Sequence, residues 1–146
     1  MVTLSSIFEQ ILNELRALPN IQLFLFPVNT KNVPDYYNII KDAMDMQTMR
    51  ERLRQKRYRS REDFLTDLSK IVHNSKLYNG AQHLLTKNAE GMMEMCFKRF
   101  AEKEQKLMRL EKAINPLLDD NDQVALSYIL EKIVHALKVS KNCHLS

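Results

Sequence analysis

Asn79 is the residue in this chain whose type and position most directly offer chemistry. It lies in Ser75-Lys76-Leu77-Tyr78-Asn79-Gly80, where a helical pattern closes. Upstream, Phe64, Leu68, Ile71, Ser75 and Tyr78 recur at steps of three and four, the period of one helix face. Asn-Gly is a stop signal, because both residues tolerate positive φ after a last helical turn. A second helical pattern begins at Leu85. Asn79 therefore stands at the mouth between two helices, with a side-chain amide that both donates and accepts. Taken alone, these six residues also describe an ordinary helix cap.

The other candidates are weaker. Arg50, Arg52, Arg54, Lys56, Arg57, Arg59 and Arg61 crowd one short stretch. Such a run reads as a solvated helix face and its loop. The functional alternative is DNA contact through Arg54, Arg57 and Arg59, electrostatic and blind to sequence. No aromatic platform or zinc pattern supports base reading. His73, His83, His135 and His144 fall on different elements without a paired carboxylate, and His73 reads as a half-buried helix residue. No HExxH, CxxC, GxSxG or Gly-rich phosphate loop occurs, so no catalytic role, metal or cofactor is implied.

Composition bounds the class. The 146 residues are 45% hydrophobic and 27% charged, with a net charge of +4. This fits one globular domain, or one domain with a tail. Two glycines and four prolines disfavour a turn-rich β design. No apolar run approaches the ~20 residues that cross a bilayer. No secretory pattern opens the chain; Met1-Val2-Thr3 reads as an arbitrary start within something longer. Cys96 and Cys143 lie far apart, and Cys96 falls on an apolar helix face, which fits a reducing compartment.

The elements that must position Asn79 follow from periodicity. A first helix is expected over about Leu4 to Leu18, with capping oxygens offered by Thr3, Ser5 and Ser6, Ser6 and Glu9 at capping-box spacing, and Pro19-Asn20 as its end. A long connection follows to about Met44. Ile21, Leu23, Phe24, Leu25, Phe26 and Val28 make it too apolar to face water throughout, while Pro27 and Pro34 deny it a regular helix or central strand. It is expected to fold back onto the helices, with a helical turn near Asp35–Ile40. Asp45 caps a helix over Met46 to Gln55 with Met46, Met49 and Leu53 inward. Ser60 caps the next, which ends at Tyr78. One long helix is expected from Leu85 to Ile114, until Pro116. Asp122 then caps a tail helix carrying Leu126, Ile129, Leu130, Ile133 and Leu137, with disorder expected over Lys141–Ser146.

Phe24, Pro27-Val28, Val33-Pro34-Asp35-Tyr36-Tyr37, Met44-Asp45-Met46, Tyr58, Phe64, Asp67, Asn74 and Tyr78-Asn79 together resemble a bromodomain in order and spacing. Val2–Ser6, Pro19-Asn20 and Leu110–Val124 are similar to the first member of a tandem bromodomain pair in a transcription-initiation protein. The resemblance implies an all-α, left-handed four-helix bundle with a long ZA-type loop and an extra C-terminal helix. It implies a bromodomain over residues 1–115. Residues 116–146 would be a linker and a tail helix resembling the start of a second bromodomain.

It also implies a site that recognises acetyl-lysine. Asn79 would hold the acetyl carbonyl, and Tyr36 would reach the same oxygen through a water. Val28, Val33 and Phe24 would form the apolar wall, Tyr78 the floor and Leu85 the gatekeeper. The partners implied are acetylated lysine peptides, histone tails or other acetylated nuclear proteins, together with fellow subunits of the initiation assembly; the location implied is nuclear, without membrane contact. Gln22-Leu23 stand where the family usually has an aromatic and a proline, and Ala43 and Ala81 replace prolines. The alternative implied is a degenerate bromodomain that scaffolds an assembly with weak or no acetyl-lysine binding.

Overall fold

The computed structural model describes residues 1–118 and Lys132. The described elements are helical: α1 (Leu4–Arg16), α2 (Tyr36–Ile39), α3 (Met46–Arg54), α4 (Arg61–Asn79), α5 (Leu84–Glu102) and α6 (Glu104–Ile114), with a 3-10 turn at Gln22–Phe24. Among the described residues there is no strand. Helix α1 packs on α3, α5 and α6, and α4 packs on α5, α3 and α2. The result is a four-helix bundle of α1, α3, α4 and α5, with α6 continuing the last helix. The expected tail helix and chain end lie outside the described residues.

Apolar stripes drive the bundle together. Leu4, Ile7, Phe8, Ile11, Leu12 and Leu15 of α1 are buried. They meet Met46, Met49 and Leu53 of α3, Phe64, Leu68 and Ile71 of α4, and Met92, Cys96 and Phe100 of α5. Phe8 stacks on Phe64 at 4.9 Å between centroids, and Phe100 and Tyr58 meet Phe64 at 6.0 and 5.5 Å. Such aromatic contacts add about 0.5–1.5 kcal/mol each beyond the area buried. The Cys96 thiol is fully inside, and burial pushes its pKa well up, so it is a core residue and no nucleophile.

Several expectations hold to within a residue. Asp45 caps α3 by accepting from Thr48 N–H, and Ser60 caps α4 by accepting from Asp63 N–H. Others are corrected. The capping box of α1 is built from Thr3 and Ser6, not Ser6 and Glu9. The final helix is interrupted at Lys103 (φ −116°, ψ 20°). Neither Pro nor Gly marks this break. Its partners are tertiary: Lys103 Nζ donates to Gln10 Oε1 at 3.2 Å, and Arg99 Nε donates to Glu14 Oε2 at 2.7 Å. His73 is exposed rather than half-buried.

Arg61 leaves the solvated run altogether. Its side chain is 1% exposed and paired with Glu111 at 2.8 Å. Arg52 also turns inward, with Nη1 donating to both oxygens of Asp67 at 3.0 and 2.8 Å. The Tyr58 hydroxyl donates to the same carboxylate at 2.7 Å. Burial would raise the pKa of Asp67, but these hydrogen bonds outweigh it and hold the carboxyl below its ordinary value. Burial first, and the bond to Asp67 second, push the Tyr58 phenol up.

Candidate functional site

Asn79 is the last residue of α4. Gly80 follows at φ +100°, in the region that favours glycine, and its N–H returns to Lys76 O at 3.0 Å. The chain re-enters a helix at Leu84, where His83 Nδ1 accepts from Leu85 N–H at 3.1 Å. The turn between the two helices thus sets Asn79 on one lip and Leu85 on the other.

The long connection supplies the opposite wall, and the bundle pins it at several points. Leu25 O accepts from Gln47 N–H at 3.0 Å. Asn74 Nδ2 donates to Asp42 O at 2.9 Å, tethering the end of the loop to α4. The Tyr78 hydroxyl donates to Asp35 Oδ1 at 2.8 Å, and the Tyr37 hydroxyl to Val28 O at 2.7 Å. Between Val28 and Val33, Asn29 forms a tight turn: its backbone oxygen accepts from Asn32 and Val33, and its Oδ1 from Lys31 N–H. Ile21 is buried, and Phe24 and Leu25 pack against the core. As expected, the loop's apolar residues do not all face water, although Leu23 and Phe26 are 66% and 56% exposed.

Between loop and helices lies a pocket of about 320 Å³. Asn79, Tyr36, Val28, Val33, Phe24, Tyr78 and Leu85, which the sequence singles out, all line it. Met44, Asn29, Asn32 and Ile71 also belong to the wall, and the sequence reading does not reach them. Ile71 sits two turns before Asn79 on the same helix face, a spacing that could have found it. Asn29 and Asn32 flank the turn joining the two valines. Arg54, Arg57 and Arg59 are exposed and do not line the pocket.

The electrostatics are those of a neutral site. Among the described residues, no lining side chain is charged. Tyr36 is half-buried, with its ring edge-on to Tyr37 at 5.3 Å and to Tyr78 at 5.0 Å. Burial, then these two neighbours, raise its pKa. The hydrogen bond to Asp35 raises that of Tyr78. Both phenols stay protonated at neutral pH; Tyr78 commits its proton to Asp35, and Tyr36 keeps one to donate. Asn79 Nδ2 donates to Ser75 Oγ at 3.2 Å, which occupies one of its two N–H bonds and leaves the second for another acceptor. The arrangement can take a neutral, carbonyl-bearing group at its polar end and an apolar stem along its walls.

Known proteins with the same sequence pattern bear on this geometry. The family model described as Bromodomain matches residues 8–91. Transcription initiation factor TFIID subunit 1 of Drosophila melanogaster is 59% identical over 138 residues, covering 94% of this chain and 6% of that protein. The proteins of the same name from Caenorhabditis elegans and Arabidopsis thaliana are 43% and 37% identical, over 94% and 79% of this chain. The chain spans less than a tenth of the length of these relatives. With a family match over more than half of its length and an all-helical bundle that carries the matched residues, the chain belongs to the bromodomain family.

Proposed function

We propose that the chain is an acetyl-lysine reader module acting in transcription initiation. The observation that carries this reading is the uncharged pocket of about 320 Å³ with a free amide N–H at its mouth. A lysine ammonium has three donors, no acceptor and a strongly hydrated charge. Burying it unpaired costs several kcal/mol, and this pocket offers no carboxylate to pair it. Acetylation removes the charge and adds a carbonyl that Asn79 can hold. One neutral hydrogen bond nets only about 1 kcal/mol, so selection rests chiefly on rejecting the charged form. Stem and methyl contact with Val28, Val33, Phe24 and Leu85 adds roughly 25 cal/mol per Å² buried. Tyr36 serves as the second polar group, through a water, and Tyr78 as the floor. Binding in a pocket this small is expected at micromolar to millimolar strength, roughly −8 to −4 kcal/mol.

The substrates in this reading are histone tails or other acetylated nuclear proteins. The setting is a TFIID subunit in the nucleus, alongside other TFIID subunits in the full-length protein; its support is the likeness to proteins named TFIID subunit 1. The module is a binder, not a catalyst. Residues 1–115 form it, and residues 116–146 serve as linker and opening helix of a second bromodomain, so that tandem copies gain through effective concentration. Exposed Arg54, Arg57 and Arg59 add a salt-sensitive, sequence-independent contact to nearby DNA.

A second reading, a scaffold with weak or no acetyl-lysine binding, is favoured by the rim. Gln22 and Leu23 are exposed there and present no aromatic plane. Calorimetric titration of acetylated against unacetylated histone-tail peptides separates the two: saturable heat with the acetylated set alone supports the reader, and silence at millimolar peptide supports the scaffold.

A further inference from the structure

Behind Asn79 runs a buried chain of hydrogen bonds. Thr86 Oγ1 donates to Gly80 O at 2.7 Å. Ser75 Oγ and Thr86 Oγ1 lie 2.8 Å apart, and Asn79 Nδ2 is 3.2 Å from Ser75 Oγ. Ser75 is 4% exposed and Thr86 is not exposed at all, so these groups are shielded from bulk water.

The chain has a direction, and its far end sets it. A backbone carbonyl can only accept, so the single proton of Thr86 goes to Gly80 O. Thr86 then has only lone pairs to offer Ser75, and Ser75 must donate to it. With its own proton used, Ser75 offers Asn79 a lone pair. The Asn79 amide can therefore approach Ser75 only with its NH₂. The opposite orientation would set the amide oxygen against a lone pair and turn that oxygen's place over to the NH₂.

We propose that Ser75 and Thr86 are positioning residues that fix which end of the Asn79 amide faces Ser75 and which N–H remains for a ligand carbonyl. This rests on the acetyl-lysine reading of the pocket. Without the Thr86 hydroxyl, Ser75 is released to donate to the Asn79 amide oxygen, and the amide can turn over. Thr86→Val has nearly the same shape and lacks the hydroxyl. Thr86→Ser keeps it.

The test has a ligand-free arm and a ligand arm. In the free protein, nuclear Overhauser contacts are measured from the Asn79 Nδ2 protons to the Ser75 Hβ protons. They are expected in the wild type and in Thr86→Ser, and absent or weakened in Thr86→Val. Their absence in the wild type overturns the proposal even if Thr86→Val does not fold. In the ligand arm, a histone-tail peptide carrying acetyl-lysine is titrated into each form. Loss of one well-placed neutral hydrogen bond predicts about tenfold weaker binding by a folded Thr86→Val, whose melting temperature falls modestly for the buried hydrogen bonds it loses, with Thr86→Ser close to wild type in both. Equal binding by wild type and a folded Thr86→Val overturns the proposal and leaves the reader intact. No binding by the wild type itself defeats the reader, while the Overhauser contacts still decide the orientation.

Discussion

Arg61 and Glu111 meet across 50 positions of sequence through hydrogen bonds: Arg61 N and Nε donate to Oε2 at 2.9 and 2.8 Å, and Nη2 to Oε1 at 3.1 Å. Both side chains are 1% exposed. Arg61 is the first residue of α4, the helix that ends in Asn79, and Glu111 lies on α6. The pair ties the start of the site-bearing helix to the last helix of the bundle. Glu111 also satisfies a backbone N–H at the α4 N-terminus, where a carboxylate is favoured by the helix dipole.

Removing one partner of a buried ion pair costs about 3–5 kcal/mol. Glu111→Ala should therefore lower the melting temperature by about 10 °C or more, at roughly 4 °C per kcal/mol, where the ranges for smaller and larger domains meet. A chain cut after Glu102 should suffer at least as much, and one cut after Leu118 little. The family match ends at residue 91, so the folding unit should extend beyond the matched segment. Thermal unfolding of the three forms decides this; a cut after Glu102 that melts with the full chain would contradict it.

Asp67 sets an acid limit. Its folded pKa is lowered, so the native state binds fewer protons than the unfolded chain once pH drops past the ordinary carboxylate range. The stabilisation is complete above about pH 4 and is lost as pH falls through the depressed folded value. Asp67→Asn should lower stability at neutral pH and flatten the acid limb. Denaturant unfolding between neutral pH and the acid transition measures both; a parallel acid limb in the mutant would show that Asp67 is not responsible.

Much of this was legible in the sequence, and the rest has physical reasons for being hidden. Periodicity located α1, α3 and α4, and Ser60 and Asp45 marked starts that the structure keeps. The seven pocket residues converge because loop and helix both carry family-typical types at fixed spacing. Arg61 could not be read, since a basic run gives no sign of which member finds a carboxylate fifty residues away. The break at Lys103 was equally hidden, because the partners beside it, Gln10 for Lys103 and Glu14 for Arg99, are tertiary. The Ser75–Thr86 pairing had a faint signal: Ser75 is one turn before Asn79, and Thr86 is next to Leu85.

On the proposed reading, the exposed bases give a separable activity. Arg54→Ala, Arg57→Ala and Arg59→Ala combined should weaken DNA binding at low salt. The salt slope should fall by about 0.9 for each phosphate that is no longer neutralised. Acetyl-peptide affinity should not change, because none of the three lines the pocket. An unchanged slope would make the run a solvated face.

The rim should tune affinity without setting selectivity. Gln22→Trp adds a rigid aromatic plane beside Leu23 and should tighten acetylated-peptide binding by about 1 kcal/mol. Discrimination against unmodified lysine should remain, since Gln22 is on the pocket's lining but tryptophan adds no charge there. Unchanged binding in Gln22→Trp would mean that this edge does not contact the peptide.

Asn79→Ala, titrated calorimetrically beside the wild type with acetylated and unacetylated histone-tail peptides, tests the reader most directly. The wild type should bind only the acetylated peptide, and Asn79→Ala should bind neither while melting as a folded protein. Acetyl-dependent binding that survives in Asn79→Ala would contradict the role given to this pocket.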